Sequence, residues 1–113
     1  MDMSKEQTIC AASIYQRKYY LDPVFADLPT TIQNELKAMA VLFTEENGGT
    51  LQLFFNEAQE LELRIAHNSD DFSYDAIGAE YKVRQLARDK EELFEQLALY
   101  YRVFHKNDLE RFE

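Results

Sequence analysis

Few residues in this chain have the type and spacing that chemistry needs, and each has a plainer use. Cys10 is the single thiol, and the only imidazoles are His67 and His105. A nucleophilic cysteine needs a base beside it, so a thiol between Ile9 and Ala11 reads as a small buried apolar residue. His67, Asp70, Asp71 and Asp75 lie close together, and their oxygens suit a hard cation. The calcium-loop pattern of alternating acids around a central glycine is missing, and one imidazole is too few for most transition metals. Asp70, Asp71 and Ser73 read instead as the start or cap of a helix, where carboxylates meet the positive end of its dipole. Glu45 and Glu46 are adjacent, and neighbours on a helix point about 100° apart, too far to share one proton. Glu45 near a helix C-terminus faces the negative end of the dipole. Such local conflicts gather at functional sites, although an exposed glutamate at a fraying end needs no role. Gly48-Gly49 is followed by no Lys-Ser or Lys-Thr, and there is no dinucleotide fingerprint or paired-histidine motif. The residues lean away from an enzyme without deciding the matter, and they offer no metal or cofactor site.

The tyrosines are the distinctive supply. Seven occur, in the pairs Tyr19-Tyr20 and Tyr100-Tyr101 and singly at Tyr15, Tyr74 and Tyr81, with no tryptophan. A tyrosine packs its ring while its hydroxyl bonds outward, which suits both core rims and binding interfaces. Neighbouring residues face different ways, so each pair offers one ring to the core and one elsewhere.

The elements that must position these groups follow from the patterning. Pro29 opens a helix in which Thr30 or Thr31 caps and Gln33 stands at the capping-box spacing. Ile32, Leu36, Met39 and Phe43 share its inner face, and Gly48-Gly49 ends it. Leu51, Leu53 and Phe55 alternate with polar partners or Phe54, as do Leu61, Leu63 and Ile65 with Glu60, Glu62 and Arg64. That is a β-hairpin, and parity sets Phe55 opposite Leu61, Leu53 opposite Leu63 and Leu51 opposite Ile65. The turn is Glu57-Ala58-Gln59, without the glycine such turns favour. Phe54 points off the apolar face and needs a cover. Residues 8–21 fit a helix through Ile14, Lys18 and Leu21, or a strand through their tyrosines. From residue 75 to 104, Ala76, Ala79, Val83, Leu86, Lys90, Leu93, Leu97, Tyr100 and Phe104 recur at alternating steps of three and four. One straight helix of that length would run about 45 Å, longer than a compact chain of this size is wide. It therefore breaks near Arg88-Asp89-Lys90 or protrudes to pair with another chain.

Bulk properties narrow the partners. The chain has 113 residues and a net charge of −9; residues 1–56 carry four basic and seven acidic groups, and residues 57–113 eight and fourteen. Neither half would neutralise phosphate backbone, so nucleic acid is not an expected partner. Lys82, Arg84, Arg88 and Lys90 form the one local basic exception, read as a solvated helix face. No apolar run approaches the roughly 18 residues of a membrane span, the start reads as no secretory signal, and a lone thiol suits a reducing compartment. The expectation is a cytoplasmic protein with no membrane contact.

Several segments resemble a small uncharacterised family of proteins of about this length from Gram-positive bacteria. They are Tyr15-Gln16-Arg17-Lys18-Tyr19-Tyr20, Leu42-Phe43-Thr44-Glu45-Glu46-Asn47-Gly48-Gly49, Tyr74-Asp75-Ala76-Ile77-Gly78, and Glu92-Leu93-Phe94-Glu95-Gln96-Leu97-Ala98-Leu99-Tyr100-Tyr101. The family pattern has a glycine in the hairpin turn where this chain has Ala58-Gln59. The resemblance implies a bacterial cytoplasmic protein and brings no catalytic residues with it.

The reading as a whole is one α+β domain over residues 1–113, with 1–8 and 105–113 frayed. It has an N-terminal helix, an antiparallel hairpin with or without a third strand, and a long or kinked C-terminal helical segment. The expected function is a non-catalytic, acidic protein-interaction module of adaptor or chaperone type. It would self-associate through the C-terminal seam, using Val83, Leu86, Leu93, Leu97, Tyr100 and Phe104, with Tyr19, Tyr20 and Phe54 as further contacts. The alternative is a small-molecule binder or minor enzyme with a tyrosine-rich, acidic pocket between hairpin and helices.

Overall fold

The computed structural model describes residues 6–104. Two strands come first, β1 (Gln7–Ser13) and β2 (Lys18–Leu21), then a short 3-10 turn at Pro23–Phe25. Helix α1 (Thr30–Asn47) follows, then β3 (Thr50–Phe55), β4 (Leu61–Ala66), α2 (Ala76–Asp89) and α3 (Glu91–Phe104). The fold is α+β, but its N-terminal element is a strand pair rather than a helix, and the sheet has four strands in the order β2-β1-β3-β4. All neighbours are antiparallel. Gln7 and Thr8 belong to β1, inside the stretch expected to fray; residues 105–113 of that expectation lie outside the described residues.

The helical spacing of Ile14, Lys18 and Leu21 is overridden by pairing partners far along the chain. Cys10 pairs with Leu53 and Ala12 with Leu51, making β1 a central strand. Pairing context outweighs the weak strand propensity of small residues such as Ala and Cys. A bulge at Thr8/Cys10 inserts Ile9 into β1. Strict alternation would split Ile9 from Cys10; with the extra residue both enter one core cluster.

The β3–β4 register is Phe55 to Leu61, Leu53 to Leu63 and Leu51 to Ile65. Leu51, Leu53 and Phe55 are buried beneath Leu36, Met39 and Phe43 of α1 and Leu93 and Leu97 of α3. Burying one such leucine contributes about 1.5–3 kcal/mol. Phe55 stacks on Tyr101 of α3 at 4.1 Å between centroids, and Phe25 sits 6.4 Å from both rings. Those three aromatics fasten the last helix to the end of β3. The Phe54 ring, on the other face, is buried with the Arg64 guanidinium 4.1 Å above it. Arg64 is held there by Glu6 at 2.9 Å and by Gln52.

Helix α1 starts without a side-chain cap. Gln33 reaches back, but to the carbonyls of Ala26 and Leu28 rather than to an amide in a capping box. Gly48 and Gly49 take left-handed φ values of 87° and 76° and stop the helix. The C-terminal helical run breaks at Lys90, which closes α2 through its N–H to Leu86 O and reaches Glu35 at 3.8 Å. The break lets α3 fold back onto the core. Helix α2 is held more lightly, with Ala79 its one fully buried residue and Val83 and Leu86 half-buried.

Candidate functional site

At one end of the sheet the β1–β2 turn meets the loop between β4 and α2. The Tyr15 hydroxyl donates to Asp71 Oδ2 at 2.6 Å and accepts from the Asn68 amide at 3.1 Å. Ser73 Oγ donates to Asp71 Oδ1 at 2.8 Å. His67 stacks on Tyr74 at 4.3 Å, and Tyr74 lies against Gly48 and Gly49. Tyrosine, serine, histidine and aspartate meet here, yet not in an order that makes a nucleophile. The serine proton goes to the aspartate, and the His67 ring nitrogen Nδ1 faces Asn68 O. No base is left beside the serine, as nucleophilic catalysis requires. Tyr15 has its pKa raised by desolvation and by the Asp71 bond, the opposite of activation. The cluster is a brace.

It also redistributes the acids expected at the helix start. Asp75, not Asp70 or Asp71, caps α2, accepting from the Gly78 amide at 3.0 Å. Asp71 is occupied by Tyr15 and Ser73. Among the described residues, no group of three His, Cys, Asp or Glu side chains could hold a metal. Cys10 is buried, and burial pushes its thiol up to about 11. Beside it the buried Tyr19 hydroxyl makes no hydrogen bond of standard geometry. Burial first, then the neighbouring thiol, raises its pKa as well. Neither group is a nucleophile at neutral pH.

The residues expected to contact a partner divide. Leu93, Leu97 and Phe54 are buried inside the chain. Val83 and Leu86 are half-buried against the smaller core cluster, and Tyr19 lies against both clusters. Tyr100 is half-buried, and its hydroxyl, desolvated and bonded to Asp27, is pushed up to about 12. Phe104 is exposed and leans on Tyr100 at 4.8 Å. Tyr20 is half-exposed, its hydroxyl donating to Asp22 Oδ2 at 3.2 Å. Leu93 and Leu97 of the seam are therefore committed to the core, while Phe104 stays outside it.

Leu99, Val103 and Phe104 of α3 are a little over half exposed, and the most exposed apolar groups sit elsewhere. Phe72 is 94% exposed, Ile77 86% and Tyr81 64%. Ile77 and Tyr81 are four apart on α2 and share its outer side. Phe72 lies between Asp71 and Ser73, whose hydrogen bonds tie down the loop that carries it. Sequence reasoning passed over Phe72 and Ile77 for want of a pattern around them. The available signal was negative: Ile77 falls out of step with the three-four series that Ala76 begins. A hollow between α1 and α2 has Tyr81, Glu46, Asp89 and Lys82 in its lining, and a cavity of about 370 Å³ lies between the β1–β2 hairpin and α1. It contains Tyr19, as a tyrosine-lined pocket should, but its charged lining is Arg17, Lys18, Lys37 and Glu45. It is basic, whereas the hollow between α1 and α2 has two acids to one lysine.

The chain is thus an α+β protein with a braced loop, a buried thiol and exposed aromatic groups. The chain belongs to DUF6145, a family of unknown function, whose pattern matches residues 6–109. No curated protein and no solved structure matches it. No helix among the described residues is long and apolar enough to cross a membrane.

Proposed function

We propose that the chain is a non-catalytic protein-interaction module, and that its contact surface is the outer side of α2 with the braced loop before it. The observation that carries this reading is the near-complete exposure of Phe72 and Ile77 on a loop and helix start fixed by hydrogen bonds. Aromatic groups of this kind are enriched in interfaces and anchor them. A loop backbone already tied down loses less freedom on binding, so more of the burial becomes affinity. Lys82, Arg84 and Arg88 are exposed on the same helix. The partner that fits is a protein with an apolar cleft and an acidic rim, receiving α2 in the helix-in-groove manner. A cytoplasmic setting in a Gram-positive bacterium belongs to the same proposal, and the lone buried thiol suits it.

The test compares capture by the wild-type chain with capture by Ile77→Asp and by Leu42→Asp, an exposed leucine on α1. A partner kept by Leu42→Asp and lost by Ile77→Asp is the expected result. Partners unaffected by Ile77→Asp would overturn it. A doubled native mass that Ile77→Asp returns to 13.3 kDa would identify the partner as a second copy.

A further inference from the structure

The first 56 residues contain only four basic side chains, and three of them, Arg17, Lys18 and Lys37, line one cavity. They arrive from two elements, the β1–β2 turn with the start of β2 and the middle of α1. No ion pair among the described residues engages any of the three. Glu45 is the one acid in the lining, so the cavity is a positive island of net charge two on a chain of −9. Its volume of about 370 Å³ falls in the range of small-molecule sites, roughly 300–1,000 Å³. Tyr19 and Val41 give it an apolar wall.

Two local irregularities meet at this place. Arg17 has a left-handed φ of 52°, a conformation that costs a side-chain-bearing residue free energy and that Asn or Gly would adopt more easily. Glu45 stands in the last turn of α1, against the negative end of the helix dipole. Both residues face the cavity.

We propose that this cavity binds a small phosphorylated organic molecule, a phosphate monoester with a hydroxyl-bearing body. The charge balance is the reason for a phosphate. The net surplus of two matches a dianion, whereas one carboxylate would leave it half-answered. The Arg17 guanidinium offers a planar fork for two phosphate oxygens, and Lys18 and Lys37 act as point charges on either side. The body of the ligand covers Tyr19 and Val41, and Glu45 accepts from its hydroxyl.

The test titrates the full chain with glycerol phosphate, glycerol, inorganic phosphate and sulfate, following backbone amide NMR shifts. Glycerol phosphate is expected to move the amides of Arg17, Lys18 and Lys37 saturably at millimolar concentration or below. Inorganic phosphate moves them more weakly, and glycerol does not. Arg17→Asn and Lys37→Gln should each weaken binding by about tenfold or more, the worth of one charged hydrogen bond. Arg17→Asn relieves the left-handed backbone, so it should bind less without melting earlier. Arg84→Gln, outside the cavity, should leave binding unchanged. Absence of saturation with glycerol phosphate overturns the proposal. So does an equal loss in Arg84→Gln, which would mean diffuse charge attraction, or an equal response to sulfate, which would mean an adventitious ion only.

Discussion

The Tyr15 hydroxyl and the Asp71 carboxylate, 56 residues apart in sequence, lie 2.6 Å from one another and tie the β1–β2 turn to the loop that presents Phe72. The bond shows itself in both partners. Asp71 is held below its ordinary 3.8, first by Tyr15 and then by Ser73. Tyr15 is raised above its ordinary 10.0, by desolvation and then by Asp71. The pH dependence follows in sign. A depressed carboxylate stabilises the fold above pH 3.8 and loses that contribution as pH falls through its lowered folded value. A raised phenol stabilises the fold below pH 10.0 and loses that contribution as pH rises through its folded value. Tyr15→Phe should therefore melt earlier than wild type across the neutral range, with the gap narrowing at both extremes. Thermal melts over a pH series check it. A gap that stays constant into acid would place the effect outside the bond.

The β3–β4 turn holds an unrelieved strain. Gln59 has φ of 65°, the left-handed position where glycine is usual. Asn56 closes the turn with its N–H to Glu60 O at 2.8 Å and its side chain accepting from the Glu60 amide. A left-handed side-chain residue costs about 1–2 kcal/mol, and glycine gives part of that back in unfolded-state entropy. Gln59→Gly should stabilise the chain by about 0.5–1 kcal/mol. Denaturant unfolding with an unchanged slope measures it, and a destabilised variant would mean that the Gln59 side chain is worth more than its backbone strain.

The same hairpin marks how far the sequence could be read. Its pairing came from parity alone, because one buried face admits only one register. Helix α1 and the break at Lys90 were legible for similar reasons, a spaced apolar face and a charge interrupting a seam. Strands β1 and β2 were legible only as one of two alternatives for residues 8–21. Cys10 and Ala12 carry little strand propensity, the bulge at Ile9 destroys alternation, and the partners that decide the matter lie some forty residues away in β3. The proposed sites share that difficulty. Arg17, Lys18 and Lys37 form no motif until the hairpin packs on α1, and Phe72 looks like any loop residue until Asp71 and Ser73 tie down its loop.

Leu97 and Ile77 should behave in opposite ways. Leu97 on α3 is buried in the main core cluster, and Leu97→Ala should cost about 2–5 kcal/mol. Ile77 is exposed in the first turn of α2, where an acid suits the helix dipole. Ile77→Asp should therefore stay within about 0.5 kcal/mol of wild type while removing the proposed contact. Chemical denaturation separates the two. A folded, stable Leu97→Ala chain would return the seam to the surface and reopen pairing through α3.

The glycine pair after α1 separates conformation from crowding. At Gly48, φ is 87° and an added Cβ would meet nothing closer than Tyr74 at 3.7 Å. At Gly49, φ is 76° and the Cβ would stand 2.5 Å from the carbonyl oxygen of Ala66 and 2.8 Å from Tyr74. Gly48→Ala should cost only its backbone conformation, φ 87° with ψ −179°, a region almost exclusive to glycine, at about 1–3 kcal/mol. Gly49→Ala carries the cost of its own positive φ and must also push back a backbone atom of β4, where Ala66 pairs with Thr50, and the Tyr74 ring that stacks on His67. Its loss should be clearly larger, and amide exchange at Thr50 should quicken with it. Equal losses at the two positions would mean that the left-handed backbone alone, and not the approach of β4, requires glycine at Gly49.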